Sequence, residues 1–227
     1  MDKATVSSEQ YVYDQICQAL YGRRLSPGSA LTERVVCDTL QVGRTAVRGA
    51  FRKLEEDGYV ERVPNRGAFI ITGTREMLQD YYQVRTELIL IALRQCIGKF
   101  NKTDFLYLEG VVKKEEIAYN TRNFKEYLDC VGDFFGYIVA KPGSAALSQL
   151  FSYLYGRQRI LLLLYDQFGR DHLHSLQAHT NVIELLRKKD LPGIEKELNN
   201  QISQFISQMQ FATFTAADAG IALSNDK

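Results

Sequence analysis

Apolar side chains recur first at the spacing of helices and then, briefly, at the spacing of strands. Val12, Ile16, Ala19 and Leu20 stand at i, i+4, i+7 and i+8, one face of a helix predicted over residues 8–23. Pro27-Gly28 forces a turn. A second helix fits Thr32 to Leu40, with the Thr32 hydroxyl as its cap and Leu31, Val35, Val36 and Leu40 pointing inward. After a turn over residues 41–43, a third helix over residues 44–57 buries Val47, Ala50, Phe51 and Leu54, and Gly58 suits a left-handed stop. The period then falls to two. Residues 59–63 and 68–71 flank Pro64-Asn65-Arg66-Gly67, whose turn chemistry predicts a hairpin.

Three helices followed by a hairpin is the order of elements in a winged helix-turn-helix. Thr72-Gly73-Thr74 reads as a linker, so residues 1–73 are expected to form that domain. The rest reads as helical, over about 75–98, 102–120, 123–141, 145–167, 171–188 and 191–212, with breaks at Pro142-Gly143 and at Asp190 to Gly193. The expected fold is mainly α: a winged helix-turn-helix, then an antiparallel all-α bundle of about six helices over residues 74–227.

Composition narrows the function classes. The 227 residues are 45% hydrophobic and 24% charged, which predicts a globular protein with a buried core. Cys17, Cys37, Cys96 and Cys130 have no metal-ribbon or disulfide-scaffold spacing. The N-terminus lacks an apolar signal region and no stretch is apolar enough for a membrane span, so a cytoplasmic protein with no membrane partner is expected. No phosphate loop, GxSxG elbow or HExxH pair is present, and no enzyme activity or cofactor is expected.

A net charge of +1 gives no global attraction to nucleic acid, but the charge is unevenly placed. Between residues 21 and 53, Arg23, Arg24, Arg34, Arg44, Arg48, Arg52 and Lys53 stand against only Glu33 and Asp38. Arg44, Arg48 and Arg52 recur every fourth residue, a line on the third helix beside its apolar stripe. Arginines presented this way reach guanine edges or phosphates without disturbing the core. A solvated helix face is the alternative meaning of three arginines. The basic turn at Arg66, where a wing tip would meet a DNA backbone, favours the nucleic-acid reading.

Four segments in order carry a resemblance: LSPGSALTER from Leu25, VGRTAVR from Val42, LEEDGYV from Leu54 and NRGAF from Asn65. They resemble the winged-helix domain of GntR-family bacterial transcription regulators. The helical remainder, with Val84-Arg85-Thr86-Glu87-Leu88 in its first helix, is similar to the sensing (FCD-like) domain of the FadR-type branch. The resemblance implies operator contacts by Arg34, Arg44, Thr45, Arg48 and Gly67, with Gly67 allowing close backbone approach to DNA, and Arg66 joins them from the wing-tip turn; because one winged helix contacts too little DNA for high specificity, a homodimer acting as a repressor on a palindromic double-stranded operator is expected. Gly43 and Gly49 depart from the family pattern, which favours a hydroxyl residue and a glutamate there.

Many FadR-type sensors hold a divalent metal on an aspartate and three histidines. The matching positions here are Val131, Phe135, His179 and Gln201, so no metal is expected. An apolar pocket is expected instead, with Phe135 inside it, His179 and Gln201 as polar handles and Arg85 holding a small organic acid as effector. For Arg85 the alternative is an ion pair with a carboxylate such as Asp129, and for the aromatics Tyr81, Tyr82, Tyr137, Phe151 and Tyr155 it is plain core. His172 and His174 point to opposite sides of a helix and cannot chelate together. Two other readings of the helical domain stay open: a part that only dimerises, and a metal-dependent all-α enzyme using Asp129, Asp133, Asp171, His172 and His179.

Overall fold

The computed structural model describes residues 7–22, 24–64, 66–165 and 173–208, without side chains at 173–174 and 204–208. Arg23, Asn65, Asp171, His172 and the side chain of His174 therefore lie outside the described residues. Two compact units are present. Of the described residues, the first holds those up to Gly73 together with Ile160–Leu164, and the second holds Thr74–Arg159, Tyr165 and residues 173–208.

In the first unit, α1 (Ser8–Tyr21) is capped by Ser7, whose hydroxyl accepts from the Gln10 amide, and it buries Val12, Ile16, Ala19 and Leu20. A two-residue strand, β1 (Ala30–Leu31), comes next. Leu31 points inward as the apolar pattern predicts, but it does so from a strand that the pattern did not predict; two residues are too few to show a strand period. Helix α2 (Glu33–Leu40) starts on the Thr32 cap and stops at Gln41, which takes the left-handed conformation at φ 55°. Helix α3 (Arg44–Glu56) lies against α1 and α2. Strands β2 (Val60–Val63) and β3 (Gly67–Ile70) form the hairpin, and β1 pairs on the other edge of β3, giving the sheet order β1-β3-β2, all antiparallel.

The second unit is built on α4 (Arg75–Cys96), α5 (Lys102–Asn120), α6 (Phe124–Ala140), α7 (Ala145–Tyr165), α8 (Leu173–Lys188) and α9 (Leu191–Gln208). These are the six helices expected for the bundle. Helix α4 lies against α6 and α9, α5 against α6 and α8, and α8 against α9. Leu78, Ile89, Leu93, Leu108, Phe134, Ile138, Val182 and Ile194 fill the interior. Helices α6 and α7 run antiparallel at close range, because Gly136 faces Phe151 and Gly132 faces the Tyr155 ring. The Tyr155 hydroxyl donates to the Leu128 carbonyl of α6, and the Phe151 and Tyr155 rings lie parallel, 5.8 Å apart. Among the described residues no helix is long and apolar enough to cross a membrane.

Candidate nucleic-acid interface and buried polar site

Helix α3 separates its two tasks by face. Val47, Ala50, Phe51 and Leu54 are buried, while Arg44, Thr45, Arg48 and Arg52 are exposed. Gly43 is the N-cap and supplies no side-chain bond, so the first-turn amides of α3 point outward without a protein side chain on them. Gly49 is buried against α1, where a Cβ would overlap the Glu9 carboxylate. Arg34, one residue into α2, is also exposed. Arg48 reaches across to Glu33 at the start of α2: its Nε donates to both carboxylate oxygens, at 2.9 and 3.0 Å. The two Nη groups of Arg48 take no part in that pair.

The hairpin places its own cations near this surface. Arg62 Nε donates to Glu55 of α3 at 2.6 Å. Arg66 is exposed at the turn, with its guanidinium 5.3 Å from the Phe69 ring centroid. Gly67 has φ +98°, and a Cβ there would stand 3.2 Å from the Leu31 carbonyl oxygen. The glycine is thus required by the backbone turn and by the approach of β1, independently of any contact with DNA.

A second polar site is buried inside the helical unit. Arg85 of α4 is 2% exposed, and it makes no hydrogen bond or ion pair with any described residue; its Nε is unpartnered. Its guanidinium lies 4.5 Å from the Tyr82 ring centroid and 4.9 Å from that of Phe135. Burial pushes its pKa down, opposed by nearby Tyr82, Tyr155 and Tyr127. Asp129, the carboxylate weighed as its partner, is paired with Lys125 and Arg159 instead.

His179 also stands against Phe135, its ring 5.0 Å away edge to face, and it stacks on Phe134 at 4.7 Å. The His179 Nδ1 is 2.7 Å from Glu115 Oε2 of α5, with both side chains fully buried. Gln201 of α9 donates to the Ser175 hydroxyl, one turn before His179 on α8. Glu115 Oε1, His179 Nε2 and Gln201 Oε1 have no partner among the described residues.

Residues 8–70 match the model of the bacterial regulatory proteins of the gntR family. This segment is a GntR-family DNA-binding domain. The HTH-type transcriptional repressor RspR of Escherichia coli K12 is 19% identical over 206 residues, covering 88% of this chain and 90% of its own. The HTH-type regulator YdhC of Bacillus subtilis is 25% identical over 118 residues, 52% of each chain. Among solved structures, a GntR regulator from Rhodococcus sp. RHA1 has a TM-score of 0.69 at 20% identity, covering 88% of this chain and 96% of its own. E. coli McbR/YncC has a TM-score of 0.67 at 19% identity, covering 89% and 97%. The chain carries a gntR-family domain at residues 8–70 and shares its fold with these solved structures over most of its length.

Against the metal set of many GntR sensors, Val131 and Phe135 are buried hydrocarbon, and His179 has one nitrogen taken by Glu115. One imidazole nitrogen and one amide oxygen do not fit a divalent cation, which needs three or four ligands. No group of three His, Cys, Asp or Glu that could hold a metal occurs among the described residues. Glu115 escaped the sequence reading because Lys113-Lys114-Glu115-Glu116 looks like a solvated charged face. The signal was its register: Leu108, Val111, Glu115 and Ala118 form one buried stripe of α5.

Proposed function

We propose that this GntR-family protein is of the FadR type: a cytoplasmic, non-enzymatic, homodimeric regulator, acting as a repressor on a palindromic operator in response to a small organic acid. Residues 1–73 serve DNA binding and residues 74–227 serve effector binding and dimerisation. Arg34, Arg44, Thr45 and Arg48 meet the major groove and phosphates, and Arg66 and Gly67 meet the backbone beside them. The observation that carries this reading is the exposed Arg44, Thr45 and Arg48 line at the start of a helix whose opposite face is core.

The dimer draws support from α4, where Met77, Val84 and Ile91, seven residues apart, are 37, 47 and 38% exposed. An apolar stripe of that period suits pairing with a second copy, and two-fold pairing matches a palindromic site. Arg85, Phe135, His179 and Gln201 form the effector pocket.

Gel shifts on the promoter beside the protein's own gene test the DNA reading. Arg48→Ala is expected to lose about 1–3 kcal/mol of specific binding. Equal binding by the variant would remove α3 from the interface.

A further inference from the structure

A carboxylate interrupts the arginine line of α3. Arg44, Arg48 and Arg52 follow one another every fourth residue on the exposed side of the helix. At about 100° per residue, Glu55 falls between Arg44 and Arg48 around the axis and about 10 Å beyond Arg48 along it. A bare negative charge there would repel a DNA backbone.

The wing supplies the compensating cation. Arg62 of β2 donates from Nε to Glu55 Oε2 at 2.6 Å, and its guanidinium makes no other hydrogen bond or ion pair among the described residues. Its Nη donors are therefore unused. Arg52, one turn from Glu55 on the same helix, is not drawn into the pair and stays exposed. With side chains 52 and 36% accessible, the Arg62–Glu55 pair is open to solvent, and exposed pairs contribute only about 0–1 kcal/mol to folding. Stability does not account for it. The arrangement repeats that of Arg48 on Glu33, where a carboxylate also takes the Nε edge and leaves the Nη edge free.

Helix length places this second arginine. From Arg44 to Glu55, α3 rises about 16 Å, more than the width of a major groove at about 12 Å. With Arg44, Thr45 and Arg48 in the groove, the Glu55 end stands at its phosphate rim, and Arg62 stands there with it.

Resting on the reading of α3 as the recognition helix, we propose that Arg62 is a further DNA-contacting residue: its Nη donors bind a backbone phosphate at the rim of the groove that α3 reads, while Glu55 holds the guanidinium by its other edge. Such a contact carries affinity and no base preference.

The full-length protein is titrated at several salt concentrations on two duplexes, the promoter fragment beside its own gene and a random sequence of equal length. Arg62→Ala is expected to weaken binding to both by about tenfold and to lower the slope of log K against log salt by about one, as for one lost phosphate contact. Arg48→Ala, run beside it, should instead lose the preference for the promoter fragment. Losing Arg62 also bares the Glu55 charge, so the same substitution is repeated in a Glu55→Gln background, where the loss of affinity and slope is expected to persist.

No loss in the Glu55→Gln background would mean that Arg62 only screens Glu55, and would overturn the proposal. A loss confined to the promoter fragment would do so too, because Arg62 would then read bases. The Tm of Arg62→Ala is expected to match the parent, and a fall of several degrees would make the pair a strut of the wing instead. If Arg62→Ala binds both duplexes like the parent while Arg48→Ala loses its preference, Arg62 lies off the DNA and α3 keeps its role. If neither substitution changes binding, both assignments are lost.

Discussion

Arg48 shows how one side chain can be held ready before its target arrives. Glu33 takes only the Nε edge of the guanidinium, so the paired Nη donors stay available for a guanine edge or a phosphate. The pair is exposed, with side chains 65 and 34% accessible, and contributes little to folding stability. Its consequence is expected in DNA recognition. Glu33→Gln removes a negative charge from the interface, so binding to random DNA should tighten, while the ratio of operator to random affinity should fall by about 1 kcal/mol as Arg48 loses its orientation. Competition gel shifts read that ratio, and an unchanged ratio would make the ion pair incidental. Gly43 offers the opposite case. A Cβ there meets nothing within 4 Å and its φ of −77° suits any residue, so Gly43→Ser should add the missing cap and a few tenths of a kcal/mol, measured by urea unfolding.

At the scale of elements, close approach decides which helices form the buried site. Gly132 and Gly136 clear one face of α6 for the Tyr155 and Phe151 rings, and the Tyr155 hydroxyl anchors to the α6 backbone. A Cβ at 132 would overlap the Tyr155 ring, whose other end is fixed by that hydrogen bond, so α7 would have to move as a body. Gly132→Ala is therefore expected to cost about 1–3 kcal/mol of stability despite its better helix propensity. Gly136→Ala, with Phe151 at an ordinary 3.6 Å, should be near neutral. Equal effects of the two in denaturant unfolding would contradict this packing. Helices α1 and α3 were legible from a one-sided apolar period and the six bundle helices from their length between turn residues, whereas β1 was missed because two residues have no period.

For the whole molecule, the proposed dimer ties the apolar stripe of α4 to DNA affinity. Val84→Lys places a charge in the middle of that stripe without entering the core, since Val84 is half exposed. The variant is expected to stay folded, to run at the monomer mass in light scattering, and to lose most operator affinity because one winged helix reads only a half-site. A dimer of unchanged mass would move the interface elsewhere.

The amino-acid sequence by itself determined what depends on neighbours along the chain. Helical period, turn residues and the order of the four N-terminal segments were enough for the winged helix, the split of α3 into core and arginine faces, and the bundle of six helices. That Val131 and Phe135 offer no metal-binding atom was also legible there. Only the tertiary structure decided what depends on neighbours across the fold. It left Arg85 without a carboxylate among the described residues, gave Asp129 to Lys125 and Arg159, turned Glu115 inward onto His179, and set Gly67 against the Leu31 carbonyl. The reason is physical. Burial and pairing of a charge are set by which helices meet, and residues 64 apart, such as Glu115 and His179, carry no local mark of each other.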